Sequence, residues 1–186
     1  MLLAFDTATP FVTVALHDGE SVVADARSEV RMKHGEHLAP LMQAVLRDAG
    51  VVRQDLTALA VGTGPGPFTG LRVGLVTART LAMVLEIPAY GVCSLDAIAL
   101  EAAEGLRFST DLVVATDARR KEVYLAAYDE QGTRLSGPVV DKPEAVATDL
   151  PVAGEGAVLY PDSFTRAWRT CTRTTAACSV RDSPWR

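Results

Sequence analysis

Cysteine is scarce in this chain of 186 residues, which has three, at positions 93, 171 and 178. An odd number of scattered cysteines argues against a disulfide framework and fits a reducing cytoplasm. No apolar run approaches the roughly 18 residues of a membrane span, so we expect none. The first residues lack the basic region and cleavage site of a signal peptide. These features together predict a cytoplasmic location.

An excess of positive charge is also missing, because the net charge is −5. This balance does not predict a protein that binds nucleic acid by itself. The charge is uneven: residues 1–165 hold 13 basic and 22 acidic side chains, whereas residues 166–186 hold five arginines and one acid. The tail has no helical or strand period. We therefore expect residues 166–186 to be an atypical end, frameshifted or disordered.

Hydrophobic residues make up 48% of the chain and are arranged in secondary-structure periods. Apolar and β-branched runs within residues 2–26 predict three antiparallel strands, with a turn at Asp18 and Gly19. Apolar residues at three- and four-residue spacing then predict a helix that begins near Gly35 to His37.

A strand, a long helix, a short strand and a last helix follow, so the order through residue 106 is βββαβαβα. The long helix, residues 71–85, is apolar around most of its circumference and should be largely buried. Thr69 can cap its start, and Ser94 can cap the last helix.

A second strand meander begins at residue 112, with strands predicted at 112–117, 122–128 and 133–136. The repeat predicts an α/β protein with the duplicated actin-like (ASKHA, ribonuclease H-like) fold and an incomplete second domain. We divide the chain into a first subdomain at 1–106, a partial second one at 107–165 and the atypical tail. Fold-level analogy by itself does not assign a function.

The most informative stretch is a turn rich in glycine and proline between a predicted strand and the long helix. Glycine permits positive φ and the close approach of another backbone or a ligand. The turn lacks the Gly-Lys-Ser/Thr of a phosphate-binding P-loop and also departs from the dinucleotide-binding pattern. A structural turn and a contact with a ligand or partner both remain open. Its candidate residues are Gly62, Gly64, Gly66, Phe68, Thr69, Gly70, Arg72 and Gly74.

One acid ends the first strand of each predicted half, and both acids have poor phosphate-binding surroundings. Asp6 with Thr7, and Asp117, occupy positions where actin-like ATPases place a magnesium nucleotide. No glycine follows either acid in its turn. We therefore expect at most a weak, degenerate nucleotide site, and strand-end carboxylates that cap turns are the alternative.

His34 and His37 lie three residues apart at a helix start and could share a metal only with further ligands, which the local sequence lacks. We expect no metal site. The apolar stripe of the same helix is either core or a face for a partner, and methionine suits an adaptable interface.

Four segments together resemble the TsaB (YeaZ) family. They are Asp6–Pro10, His34–Leu41, Val61–Gly74 and Asp117–Tyr124. The string Gly-Pro-Gly-x-Phe-Thr-Gly-x-Arg-x-Gly is the specific one. The usual serine after its second glycine is Pro67 here.

The resemblance implies a role in bacterial synthesis of threonylcarbamoyladenosine, a modification of tRNAs that read codons starting with A. In that pathway TsaC makes threonylcarbamoyl-adenylate and TsaD transfers the threonylcarbamoyl group. TsaB is a degenerate, non-catalytic paralogue that pairs with TsaD, and the ATPase TsaE joins them. The resemblance also implies homodimers in isolation, tRNA contact only through the complex and no cofactor beyond ATP or ADP shared at the TsaD interface.

The same resemblance assigns the partner surface to helices of the first subdomain. The implied interface residues are His37, Leu38, Leu41, Met42, Val45, Val73 and Val76. An actin-fold ATPase or kinase is the enzyme alternative. A glycoprotease-like peptidase is a third, for which the sequence offers no nucleophile, metal set or carboxylate pair.

Overall fold

The computed structural model describes residues 1–31, 33–106, 110–146 and 148–164. The predicted atypical end, residues 166–186, lies outside these residues. The contacts within the chain divide it into two compact units, Met1–Ser94 and Leu95–Arg186. The subdomain boundary predicted at residue 106 stays a prediction.

The first unit is a five-stranded mixed sheet with two long helices. Its strands run in the order β3-β2-β1-β4-β5, with β1, β2 and β3 antiparallel and β1, β4 and β5 parallel. A 3₁₀ turn, Arg53–Asp55, precedes β4. The elements are β1 (Leu2–Asp6), β2 (Thr13–His17), β3 (Val22–Arg27), α1 (His34–Asp48), β4 (Ala58–Gly62), α2 (Phe68–Leu85) and β5 (Ala89–Val92).

The core of this unit lies between the central strands and the helices. β1 and β2 each alternate buried and half-buried residues, the period-two pattern of a strand with one face packed. α1 adds Leu38, Met42 and Val45, which recur at helical spacing and are buried. The turn between β2 and β3 is closed by Asp18 Oδ1, which accepts from the amides of Glu20 and Ser21.

The second unit contains a four-stranded sheet of order β8-β7-β6-β9, in which β6, β7 and β8 are antiparallel and β9 is parallel to β6. A 3₁₀ turn, Pro143–Ala145, follows β8. The elements are α3 (Ser94–Leu106), which begins at the last residue of the first unit, then β6 (Leu112–Arg119), β7 (Glu122–Tyr128), β8 (Arg134–Asp141), β9 (Val152–Ala153) and α4 (Glu155–Leu159).

The second sheet repeats the first through its fourth strand. An antiparallel meander followed by a parallel strand beside its first member occurs in both units. The predicted fold class, a duplicated actin-like α/β fold, is confirmed by this topology.

Two element predictions need correction. β8 spans Arg134–Asp141 and passes through Gly137 and Pro138, whereas the predicted strand ended at residue 136. Proline cannot donate a ladder hydrogen bond, but β8 is an edge strand, where that loss is tolerated. α1 begins at His34, just before the predicted start, and contains Pro40.

Candidate functional site

The glycine-rich turn, residues 62–74, lies against the turn that follows β1. We call it the glycine junction. A Cβ on Gly62 would overlap the Asp6 carboxylate, and one on Gly66 would overlap the backbone of Ala8. A Cβ on Gly70 would come within 2.5 Å of the Thr7 carbonyl oxygen. These glycines therefore permit two backbone segments to pack closely, which accounts for their number without a ligand.

Thr7 joins the turn after β1 to the first turns of α2. Its buried hydroxyl donates to the Gly70 carbonyl oxygen at 2.8 Å and accepts from the Gly74 amide at 3.1 Å. The predicted cap at Thr69 is wrong, because α2 begins at Phe68 and has no side-chain cap. Thr7 supplies from another element the hydroxyl that we expected from the helix itself.

Asp6 is half-buried, and both of its carboxylate oxygens accept hydrogen bonds. Oδ1 accepts from the Ala8 amide and Oδ2 from the Ser94 hydroxyl, each at 2.5 Å. Burial raises the pKa of Asp6 above 3.8, although the hydrogen bonds from Ser94 and Ala8 and the nearby His34 partly oppose this. Ser94 is the first helical residue of α3, and its hydroxyl bonds to Asp6. The Asp6 carboxylate therefore caps the turn after β1 and connects it to Ser94.

Asp117 plays the corresponding part in the second unit. Its Oδ1 accepts from the Arg119 amide at 2.9 Å, just as Asp6 accepts from the amide two residues on. Its Oδ2 lies 3.4 Å from the Arg119 guanidinium. Arg119, Arg120 and Lys121 all have positive φ, so the carboxylate caps a strained turn. This geometry favours the turn-capping alternative for both acids.

The two helix-start histidines have separate surroundings. His34 is buried, and its Nε2 lies 2.7 Å from the Thr9 carbonyl oxygen, so Nε2 carries the proton of that bond. This contact ties the start of α1 to the turn after β1. His37 is half-buried, and its Nε2 makes no hydrogen bond to the described residues. In the described part of the chain, no group of three or more His, Cys, Asp or Glu residues could hold a metal.

α2 differs most from its prediction, because much of its apolar surface is exposed. Only Gly70, Gly74 and Ala78 are buried along the helix. Val76 is 63% exposed and Met83 74%. We call this surface the α2 face and define it by its exposed large apolar residues. They are Phe68, Leu75, Val76, Met83 and Val84.

The predicted interface residues divide between the core and the surface. Leu38, Met42 and Val45 are buried in the core of the first unit, so their side chains are not available to a partner. The apolar stripe of α1 is therefore core, the alternative that the sequence left open. Leu41 and Val73 are partly buried against this core. Val76 lies on the α2 face, whereas Leu75, Met83 and Val84 were missed as interface candidates because an all-round apolar helix gives no sign of which side is covered.

α2 is also, among the described residues, the one helix long and apolar enough to cross a membrane, although the sequence predicted none. A single helix of this kind is weak evidence for a membrane span. Its small residues pack against the turn after β1, and Leu81 and Leu85 pack on the core of the first unit. Through these contacts α2 packs against the rest of the first unit.

Comparison with known proteins identifies the family. A model of the TsaD family, described as tRNA N6-adenosine threonylcarbamoyltransferase, matches residues 28–166. The solved structure of YeaZ from Pseudomonas aeruginosa superposes with a TM-score of 0.75 and 32% identity, covering 88% of this chain and 79% of that one. The chain belongs to the TsaB (YeaZ) family.

Two curated relatives match about three quarters of this chain. TsaB of Bacillus subtilis, named as a tRNA threonylcarbamoyladenosine biosynthesis protein, is 33% identical over 141 residues, or 76% of this chain and 60% of that protein. An uncharacterized protein of Mycobacterium tuberculosis is 48% identical over 147 residues, or 75% of this chain and 64% of that protein. The chain thus spans less than two thirds of the length of these two relatives.

Proposed function

We propose that this protein is the non-catalytic partner of TsaD in the complex that forms threonylcarbamoyladenosine in tRNAs that read codons starting with A. The observation that carries the proposal is the exposed α2 face in a TsaB-family chain. An apolar surface of this extent on one helix is typical of a protein contact. In this proposal TsaD supplies the chemistry and the present chain supplies a docking surface.

The geometry of the strand-end acids supports a non-catalytic role. Both oxygens of Asp6 accept hydrogen bonds from within the first unit. Asp117 is engaged by Arg119 in its own turn. An acid that places a magnesium nucleotide needs oxygens directed toward the ligand. We therefore assign no cofactor to this chain alone, and place any ATP or ADP at an interface shared with TsaD.

The shape of α2 supports a helix-mediated contact. Its 18 residues extend over about 27 Å. The α2 face includes Phe68 at the start, Leu75 and Val76 in the middle, and Met83 and Val84 at the end. A stable interface commonly buries about 800 Å² on each partner, which a helix of this length and its neighbours can provide. Apolar side chains along the whole helix suit packing against helices of another protein.

The proposal extends to the other members of the complex and to the location. TsaE would join the pair as the ATPase, and tRNA would be contacted only through the complex. The isolated chain would use the α2 face to form a homodimer. The work would take place in the cytoplasm, where tRNA is modified.

The test is reconstitution of the complex with the full chain and TsaD of the same organism. We expect the two proteins to elute together in size-exclusion chromatography and the chain to increase threonylcarbamoyl transfer to tRNA when TsaC and TsaE are present. Omission of the chain is the matched control. Failure both to bind TsaD and to stimulate transfer would overturn the proposal. ATP turnover by the chain alone that Asp6→Ala abolishes would support an actin-fold ATPase instead.

A further inference from the structure

Charge on the exposed side of α2 has one sign. The helix carries two charged residues, Arg72 and Arg79, and no acid. Both arginines are exposed, and they lie seven residues apart, or about 10 Å along the axis. Seven residues is close to two helical turns, so both guanidinium groups occupy the side that bears Leu75 and Val76.

The two arginines are not neutralised within the described part of the chain. Arg72 lies over the Phe68 ring, with Cζ 4.0 Å from the ring centroid. This stacking positions the guanidinium while leaving its N–H groups for another acceptor. Neither Arg72 nor Arg79 forms an ion pair with a described carboxylate. The α2 face therefore combines an apolar surface with two available cationic groups.

A second copy of this chain is a poor electrostatic match to such a face. In an antiparallel two-fold pairing centred on Leu75 and Val76, Arg72 of one copy lies opposite Arg79 of the other. The two-fold axis generates two such contacts, and each of them places one arginine opposite another. Like-charge contacts disfavour an association, whereas opposed charges accelerate it and select the partner.

We infer that the α2 face recognises a protein surface that presents carboxylates about two helical turns apart among apolar side chains, and that Arg72 and Arg79 favour this partner over a second copy of the chain. The inference rests on the proposed function, in which that partner is TsaD. It adds the chemical groups that the TsaD surface must present, which are carboxylates among apolar side chains. It also explains why the chain would pair with TsaD in preference to a second copy of itself.

The experiment reverses both charges without changing the apolar residues. The full chain carrying Arg72→Glu and Arg79→Glu is compared with the wild type for TsaD binding by surface plasmon resonance at about 50 and about 500 mM salt. Self-association is measured by analytical ultracentrifugation. We expect TsaD affinity to fall about tenfold or more at low salt, mainly through slower association, and less at high salt. Self-association should be unchanged, because the double reversal again places like charges opposite each other in a pair of identical chains.

Two control variants separate charge from folding. Arg53→Glu makes the same change on an exposed 3₁₀ turn outside α2 and should leave TsaD binding unchanged. Arg72→Lys with Arg79→Lys keeps both charges and should retain most of the affinity. Circular dichroism and thermal unfolding should show that all variants fold.

The outcomes distinguish this inference from the proposed function. A wild-type complex with TsaD that tolerates the double reversal, or that weakens no more than self-association does, overturns the inference and leaves the proposed function standing. The absence of any wild-type complex with TsaD overturns both.

Discussion

At the scale of single residues, a few small polar groups connect the chain elements around the turn after β1. Thr7 bridges two backbone groups of α2, and Asp6 joins its own turn to Ser94, the last residue of the first unit. His34 holds the start of α1 on the Thr9 carbonyl. Thr7 and His34 are buried and Asp6 is half-buried, so a hydrogen bond that any of them loses is not fully replaced by water.

Thr7→Val should show what the buried hydroxyl contributes to stability. Valine keeps the shape of threonine but makes neither the bond to Gly70 nor the one from Gly74. We expect the free energy of unfolding to fall by about 2 kcal/mol in urea titrations. Thr7→Ser keeps the hydroxyl and should cost less than about 1 kcal/mol, for the lost methyl group. A larger loss for serine than for valine would contradict the assigned role.

Asp6→Asn should change how stability depends on pH. Because burial raises the pKa of Asp6, the folded state binds this proton more tightly than the unfolded state does. The contribution of Asp6 to stability is therefore greatest below its ordinary pKa of 3.8 and falls as pH rises through the raised pKa. Asparagine does not titrate, so the melting temperature of the variant relative to wild type should rise as pH is increased from about 4 through the raised pKa of Asp6.

The exposed Asp18 provides a control of opposite sign. Hydrogen bonds from the Ser21 and Glu20 amides lower the pKa of Asp18. Its contribution is present above 3.8 and is lost as pH falls through the lowered pKa. Asp18→Asn should therefore lose stability relative to wild type as pH rises over the acidic range. The same trend for both variants would contradict the assignment for Asp6.

At the scale of elements, the glycine junction determines how close α2 comes to the turn after β1. A Cβ added at Gly70 or at Gly74 would lie 2.5 Å from an oxygen atom of Thr7. Side chains at these positions would move the helix away from the sheet. The junction therefore acts through packing. It follows β4 directly and so fixes which side of α2 faces the sheet. The other apolar side, which the core does not cover, faces solvent.

The effect of Gly70→Ala on stability tests this packing when it is compared with the effect of Gly35→Ala. Both Gly70 and Gly35 lie in the first turn of a helix, but a Cβ on Gly35 meets nothing within 4 Å. Gly35→Ala should be neutral or stabilise the protein by up to about 1 kcal/mol through helix propensity. Gly70→Ala should destabilise it by about 1–3 kcal/mol because backbone must shift. Chemical denaturation of both variants measures the difference, and equal effects would contradict close packing at Gly70.

At the scale of the whole molecule, the two units arrange their first four strands in the same order, and the α2 face of the first unit is exposed. Family membership and the uncovered face support a docking role. The strand-end acids are engaged in their own turns in both units. These features support the proposal that a surface of the first unit is the docking surface.

Val76→Glu should separate binding from folding. Val76 is 63% exposed, so a charge there should leave the melting temperature nearly unchanged. A glutamate in the middle of the α2 face should weaken TsaD binding by about 2 kcal/mol or more, because it is desolvated in the complex. Val22→Glu, at a residue 57% exposed on β3, is the matched control and should retain binding. Calorimetry of both variants with TsaD decides, and equal affinities would remove α2 from the interface.

The sequence by itself determined the order of helices and strands through β8, the duplicated fold and the family. It did not predict β9 or α4, which are only two and five residues long. The features that it determined depend on local periods and on a specific glycine-rich string, which are visible along the chain. It also located the residues of the glycine junction and the two acids, although it left their structural and ligand-binding roles open.

Only the tertiary structure decided which apolar side chains are covered. Leu38 and Val76 are both apolar residues in helices, but Leu38 is in the core and Val76 is exposed. The difference depends on how α1 and α2 pack on the sheet, which local periodicity does not contain. The roles of Thr7 and Asp6 were likewise decided in three dimensions, because their hydrogen-bond partners Gly74 and Ser94 lie 67 and 88 residues away in the chain.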